Sequence, residues 1–230
     1  MLNRERPYPV KATAKDTDGQ LPQRIAQRLL AEEAAGHRLA LRGRTAALTV
    51  VAALLLLIAP FPAVLYYEAL LGLFVLVGFI QPWLERAGRY RPWHDHALVA
   101  LDFTLLTFTL LYPNPFAPDY PPQLALRSGN FVYFFVLLAG LAFTFRPSLV
   151  LWGGAVGALC WSIGVALLAV RPDSVSGIPV GSEAFMQAQA LPGFISIDEE
   201  IQHVAAFLIV AALTALVGAL TAIRAAAGDA

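Results

Sequence analysis

Two long apolar blocks dominate the pattern of hydrophobic and polar positions along the chain. Residues 46–84 contain a single charged side chain, Glu68, and residues 131–170 contain a single one, Arg146. A helix needs about 20 residues, at about 1.5 Å each, to cross about 30 Å of hydrocarbon, so each block predicts two crossings. The Pro-Phe-Pro sequence at 60–62 lies at the midpoint of the first block, and a proline follows Arg146 at the midpoint of the second. Both positions favour a break between helices.

Residues 97–112 and 204–223 supply a third and a sixth apolar segment, which brings the prediction to six crossings. Lys and Arg accumulate in short cytoplasmic loops. Fourteen of the sixteen Lys and Arg residues fall on one face of such a bundle, leaving only Arg127 and Arg171 on the other. The sequence therefore predicts an all-α membrane protein with six transmembrane helices, both termini cytoplasmic, and a cytoplasmic N-terminal helix.

The predicted organisation has four parts. Residues 1–20 are expected to be a disordered tail, 21–44 a cytoplasmic amphipathic helix leading into the membrane, 45–224 the six-helix domain, and 225–230 a short cytoplasmic tail. Composition agrees with a bilayer as the main partner, because 58% of residues are hydrophobic and only 14% are charged, against about 25% in an ordinary soluble domain. A net charge of zero provides no overall attraction for nucleic acid.

Asp102 interrupts the third apolar segment. A carboxylate at this depth costs about 2.5 to 3.5 kcal/mol on insertion scales and should face the interior of the bundle. The sequence offers no Lys or Arg at comparable depth, so the expected partners are Thr104, Thr107 or Ser162. A proton or ion pathway and a structural polar contact both fit this pattern.

A second polar group is predicted on the outer side, where Glu68 would meet Arg127, Tyr133 and His203. This group is the first choice for an outward-facing ligand pocket, and a structural ion pair is its alternative. Two long loops, 113–130 with five prolines and 171–202 with an acidic end, would cover the same side. Loops of such length are uncommon without a function, although covering the helix ends is also a sufficient role.

Motifs of catalytic chemistry are missing from the sequence, which has no P-loop, paired CxxC, HExxH or GxSxG pattern. The run His94-Asp95-His96 offers three metal ligands, but neighbouring positions on a helix diverge, so a metal site is not expected there. Gly153, Gly157 and Gly164 are interpreted as helix-packing residues, because small side chains let membrane helices approach closely. No catalytic, cofactor-binding or metal-binding residue is predicted.

Several short patterns of aromatic and polar residues occur in order along the chain. They are Tyr66-Tyr67-Glu68, Leu101-Asp102-Phe103, Tyr112-Pro113-Asn114-Pro115-Phe116, Gly129-Asn130-Phe131-Val132-Tyr133-Phe134-Phe135 and Val150-Leu151-Trp152. Together they resemble the amino-terminal membrane region of bacterial class III adenylate/guanylate cyclases, over roughly residues 30–224.

This resemblance implies a membrane anchor and sensor region in a bacterial inner membrane, followed in the family by a dimeric cyclase domain. ATP and divalent metals would belong to that domain, which this sequence lacks, so no cofactor is expected here. It also implies a homodimer, in which Gly153, Gly157 and Gly164 would be the first contacts to consider, and leaves room for a small or lipophilic extracytoplasmic ligand. The alternatives are a small transporter or channel subunit using Asp102 and Glu68, or a free-standing subunit of a membrane complex.

Overall fold

The computed structural model describes residues 41–144 and 146–228, the last four of them by backbone alone. The chain is mostly helical. The helices are α1 (Leu41–Ile58 within the described residues), α2 (Ala63–Arg86), α3 (Trp93–Leu111), α4 (Leu124–Arg127), α5 (Val132–Ala142), α6 (Pro147–Ala169), α7 (Ser182–Ala190) and α8 (Ile197–Gly228). The predicted tail 1–20 and most of the predicted helix 21–44 lie outside the described residues.

Among the described residues, four helices are long and apolar enough to cross a membrane, as expected of an all-α membrane protein. They are α1, α2, α6 and the part of α8 up to Arg224. The third predicted crossing corresponds to α3, a 19-residue helix that carries two acids. The fourth corresponds to α5, which has 11 residues and so rises only about 16 Å. The structure thus supports four of the six predicted crossings by length and composition.

The helix breaks predicted from proline are confirmed. α1 ends at Ile58 and α2 begins at Ala63, so the hairpin turns at Pro60-Phe61-Pro62. α6 begins at Pro147, directly after Arg146. Proline is tolerated at a first helical position because its missing N–H would have no partner there in any case.

The boundaries predicted for the second long loop are wrong at its acidic end. α8 begins at Ile197, so Asp198, Glu199 and Glu200 form its first turn rather than part of a loop. Acidic side chains are favourable there because the N-terminus of a helix carries partial positive charge. At the carboxyl end α8 continues to Gly228, so most of the predicted tail 225–230 is helical.

The rest of that loop is ordered by its own secondary structure. Two short parallel strands, β1 (Val175–Gly177) and β2 (Phe194–Ser196), pair with each other, and α7 lies between them. Gly193 precedes β2 at a close approach of two segments, because a Cβ built on it would lie 2.1 Å from the carbonyl oxygen of Asp173. The loop therefore folds as a small cap.

The core lies where α6 crosses α3, α5 and α8. Phe103, Phe134, Trp161 and Phe207 are almost completely buried there, and their rings contact one another edge-to-face or at a tilt at centroid distances of 5.2 to 5.8 Å. Such aromatic contacts add to the dispersion energy that holds membrane helices together, since lipid provides no hydrophobic force between them.

The glycines of α6 lie at these helix contacts. A Cβ on Gly153 would meet Leu141 of α5, and one on Gly164 would meet Leu111 and Thr107 of α3. A Cβ on Gly157 would lie 2.7 Å from the Phe207 ring of α8. Because neighbouring helices of the same chain occupy these surfaces, the glycines are not available as the contact between two copies that the sequence suggested.

Candidate functional site

An ion pair joins α1 to α3 inside the bundle. The Arg44 guanidinium donates to both carboxylate oxygens of Asp102, with Nη2 at 2.7 Å from Oδ1, and Nη2 also donates to the Phe74 carbonyl of α2 at 2.8 Å. A Cβ on Gly78 would lie 3.4 Å from Arg44 Nε, an ordinary van der Waals distance, so this part of α2 packs directly against the guanidinium. The bidentate Arg44–Asp102 pair thus connects three helices, α1, α2 and α3.

The prediction that Asp102 has no basic partner is therefore wrong. Arg44 belongs to the predicted flank before the first crossing, but a long arginine side chain can carry its charge well away from its own Cα. The hydroxyls expected to serve Asp102 bond elsewhere: Thr104 donates to the Ala100 carbonyl, Thr107 to that of Phe103, and Ser162 to that of Ala158. These are bonds within single helices, which any such residue can make.

A second polar group lies at the first turn of α3. Asp95, which is buried, accepts hydrogen bonds from the Tyr90 hydroxyl at 2.5 Å and from the Arg146 guanidinium at the start of α6. Burial and the hydrogen bond to Asp95 raise the pKa of Tyr90 to about 12. The His94 ring stacks on Tyr90 at 6.1 Å between centroids, while the Nδ1 atoms of His94 and His96 lie at backbone atoms of Arg91 and Pro92. No cluster that could hold a metal ion occurs among the described residues.

Between these two polar groups lies a cavity of about 380 Å³. It is lined by α1, α2, α3, the α5 helix with the turn after it, and one residue of α6. Most of its wall is apolar, with Leu48, Val77 and Leu137 as examples, and Arg44 and Asp102 lie on it together. Apolar cavities of this size with a few converging polar groups are typical of small-molecule sites.

A third polar group surrounds Glu200 near the start of α8. The Trp161 indole of α6 donates to Glu200 Oε2 at 2.6 Å, and His203 Nδ1 lies 3.5 Å from the same oxygen. The His203 ring stacks on Phe131 at 4.9 Å between centroids. Glu200 is only 7% exposed, so a carboxylate in the first turn of α8 is held inside the bundle.

Glu200 is a site residue that the sequence pattern does not indicate, because the predicted loop 171–202 includes it. Its helical spacing was the available signal, since Glu200, Phe207 and Ala211 are separated by whole turns and share one face of α8. Both Phe207 and Ala211 are buried against α6, so the acid on the same face is buried too.

The outer group predicted from sequence is not brought together as an ion-pair cluster. Arg127 donates to the backbone carbonyls of Gln189, Leu191 and Phe194, and thereby holds the second loop in place. His203 lies with Glu200 instead. Glu68 is half-buried on α2 and forms no ion pair with any described residue, while Tyr133 packs against the core.

The proline-rich loop packs onto the bundle and onto the second loop. The Asn114 amide donates to the Ala63 carbonyl at the start of α2. Gln123, which is fully buried, donates to Ser174 at 2.7 Å and to Asp173 at 3.2 Å. The Gln123 hydrogen bond is the main cause of the lowered pKa of Asp173. Both loops thus form one ordered cover over this end of the helices.

Comparison of the chain with models of known families, with curated proteins and with solved structures found no match. The resemblance to the membrane region of class III cyclases therefore stays a prediction from the residue patterns.

Proposed function

We propose that this chain is the six-helix membrane anchor and sensor region of a class III adenylate/guanylate cyclase, with both termini on the cytoplasmic face of a bacterial inner membrane. The observation that carries the proposal is the length and continuity of α8. Its 32 residues would extend about 48 Å, against about 30 Å of hydrocarbon. One rigid element thus links the buried Glu200 to the carboxyl end of the chain.

Such a helix suits transmission of a signal. Glu200 in its first turn is bonded to Trp161 of α6, and Phe207 and Ala211 pack on the same neighbour farther along. A ligand that changed the Glu200 contacts would shift or rotate α8 against α6 rather than bend it, because packed helices move as units by small displacements. In a homodimer, two such helices would change the spacing of whatever follows them.

The residue patterns that resemble the cyclase family and the one-sided distribution of Lys and Arg support the same proposal. The transport alternative depended on Asp102 as an unpaired acid in the membrane. Arg44 neutralises that acid, so Asp102 and Arg44 have the features of a structural ion pair. Asp102 therefore gives less support to a transport pathway.

The proposal is tested on the native protein, captured from its source membranes with an antibody against the loop between β1 and α7. The expected result is a polypeptide well above the 24.8 kDa of this chain that converts ATP to cyclic nucleotide with a divalent metal. A captured protein of 24.8 kDa without that activity would refute it.

A pair of variants in the same native protein tests the sensor role. Glu200→Gln should change the basal rate of cyclic nucleotide synthesis, because it alters the contacts of α8 with Trp161 and His203. Glu183→Gln, on the exposed face of α7, is the matched control and should not change it. Equal rates in both variants would contradict a sensing role for Glu200.

A further inference from the structure

We propose that the cavity between α1, α2, α3 and α5 binds a single-chain amphiphile with a neutral hydroxyl headgroup, which lies at the Arg44–Asp102 pair while the chain fills the apolar part. This inference goes beyond the proposed cyclase function and does not depend on it. It rests on the charge balance, the size and the walls of the cavity.

The charge balance of the cavity determines which headgroup fits. Three charged side chains line it, Arg44, Asp102 and Asp95. Arg44 and Asp102 neutralise each other through two hydrogen bonds, and Asp95 is paired with Arg146 at the start of α6. A carboxylate or ammonium headgroup would therefore enter an apolar space as an unpaired charge, which is costly. A hydroxyl carries no charge, and it can donate a hydrogen bond to a remaining lone pair of Asp102 while accepting one from Arg44. Arg44 has donors left for this, because its three hydrogen bonds to described residues use three of its five N–H groups.

The volume of the cavity limits the size of the apolar chain that the ligand can carry. A volume of about 380 Å³ holds roughly a dozen heavy atoms, if each takes about the 30 Å³ of a water molecule in the liquid. That fits one medium-length alkyl chain and excludes a two-chain lipid. α1 forms the wall between the cavity and the bilayer, because no described residue of α1 is buried.

Photolabelling provides the test, on the purified full chain in nanodiscs of dioleoylphosphatidylcholine. The probe is dodecanol carrying a diazirine, and labelled peptides are read by mass spectrometry. Labelling should saturate on the peptides of α3 and α5 that line the cavity and should be displaced by unmodified dodecanol. Dodecanoate and dodecyltrimethylammonium should compete at least about tenfold more weakly, a difference of about 1.4 kcal/mol.

Gly140→Leu is the decisive variant. Gly140 lines the cavity, and a Cβ there meets nothing within 4 Å, so leucine would fill the space without a clash at its Cβ. Gly72→Leu is the control, on an exposed part of α2 where a Cβ also meets nothing within 4 Å. Labelling should fall about tenfold in the first and stay at the wild-type level in the second. If the first variant does not fold, Ala47→Leu on the α1 wall replaces it.

Four outcomes would overturn the inference. Labelling spread over all lipid-facing helices and insensitive to Gly140→Leu would remove the cavity as the site. Equal competition by dodecanoate would remove the neutral headgroup, and equal competition by dioleoylglycerol would remove the single chain. Labelling that appears only after deletion of residues 1–40 would mean that this segment of the chain occupies the cavity.

Discussion

Replacing Gly157 with alanine tests the close contact of α6 with α3 and α8. The new Cβ would lie 2.7 Å from Cε1 of Phe207 and 2.9 Å from Cε1 of Phe103. Carbon atoms pack best at about 3.5 to 4.0 Å, so each ring would have to retreat by about 0.6 to 1.3 Å. Neither ring has space to do so, since both are buried and touch each other at 5.8 Å between centroids.

Overpacking of this kind costs about 1 to 3 kcal/mol, whereas alanine in place of glycine favours a helix by about 0.5 to 1 kcal/mol. Gly72→Ala is the matched control, because that helical glycine has nothing within 4 Å of its built Cβ. The control cancels the helix preference, so Gly157→Ala should be less stable than Gly72→Ala by about 1 to 3 kcal/mol. For a chain of this size the difference corresponds to roughly 2 to 12 °C in Tm.

The assay is unfolding of the purified protein in mild detergent, by heat and by titration with dodecyl sulfate. Tryptophan fluorescence reports the loss of core packing, because Trp161, one of four tryptophans, is fully buried at the same contact whereas the other three are exposed. Gly157→Ala with a free energy of unfolding equal to that of Gly72→Ala would refute the predicted contact, because a Cβ would then fit where the structure leaves no room for one.

Three further predictions concern the polar groups and the topology. Asp102→Asn should lower the free energy of unfolding by about 3 kcal/mol, because it leaves the Arg44 charge without its partner. Adding Arg44→Met to this variant should restore part of the lost stability. Losses that simply add in the double variant would contradict an interaction between the two residues. Folding raises the pKa of Tyr90 from 10.0 to about 12, so the associated stability is present below pH 10 and is lost as the pH rises to about 12. When tyrosinate formation is followed by absorbance, the Tyr90→Phe variant should lack one tyrosine that titrates late in the wild type. An unchanged titration curve would contradict this. In intact cells, an impermeant maleimide should label Val180→Cys but label Arg89→Cys only after permeabilisation, and the reverse pattern would contradict termini on the cytoplasmic side.

Hydrophobic patterning and proline positions determine much of the helix layout without any tertiary contact. The hairpin at 60–62 and the start of α6 at Pro147 follow from the backbone chemistry of proline, which acts locally and is therefore readable from sequence. The four helices long enough to cross a bilayer follow in the same way from the length of uncharged runs.

Partners of the polar residues could not be read in this way. Asp102 meets Arg44 across 58 positions of sequence, and Arg146 meets Asp95 across 51. Arg127, expected on Glu68, binds loop carbonyls instead. Each pairing depends on how helices are placed beside one another and on how far a long side chain reaches, and neither quantity is encoded in local pattern.

The sequence by itself thus determined an apolar helical chain, its principal breaks and the presence of costly acids that need partners. Tertiary structure decided which residues those partners are, that the α6 glycines serve contacts within one chain, and that Glu200 belongs to a buried helix turn. It also decided that a cavity remains beside the Arg44–Asp102 pair. The physical reason is that hydrophobicity and backbone preference act residue by residue, whereas packing and charge pairing depend on distances that exist only after the helices have assembled.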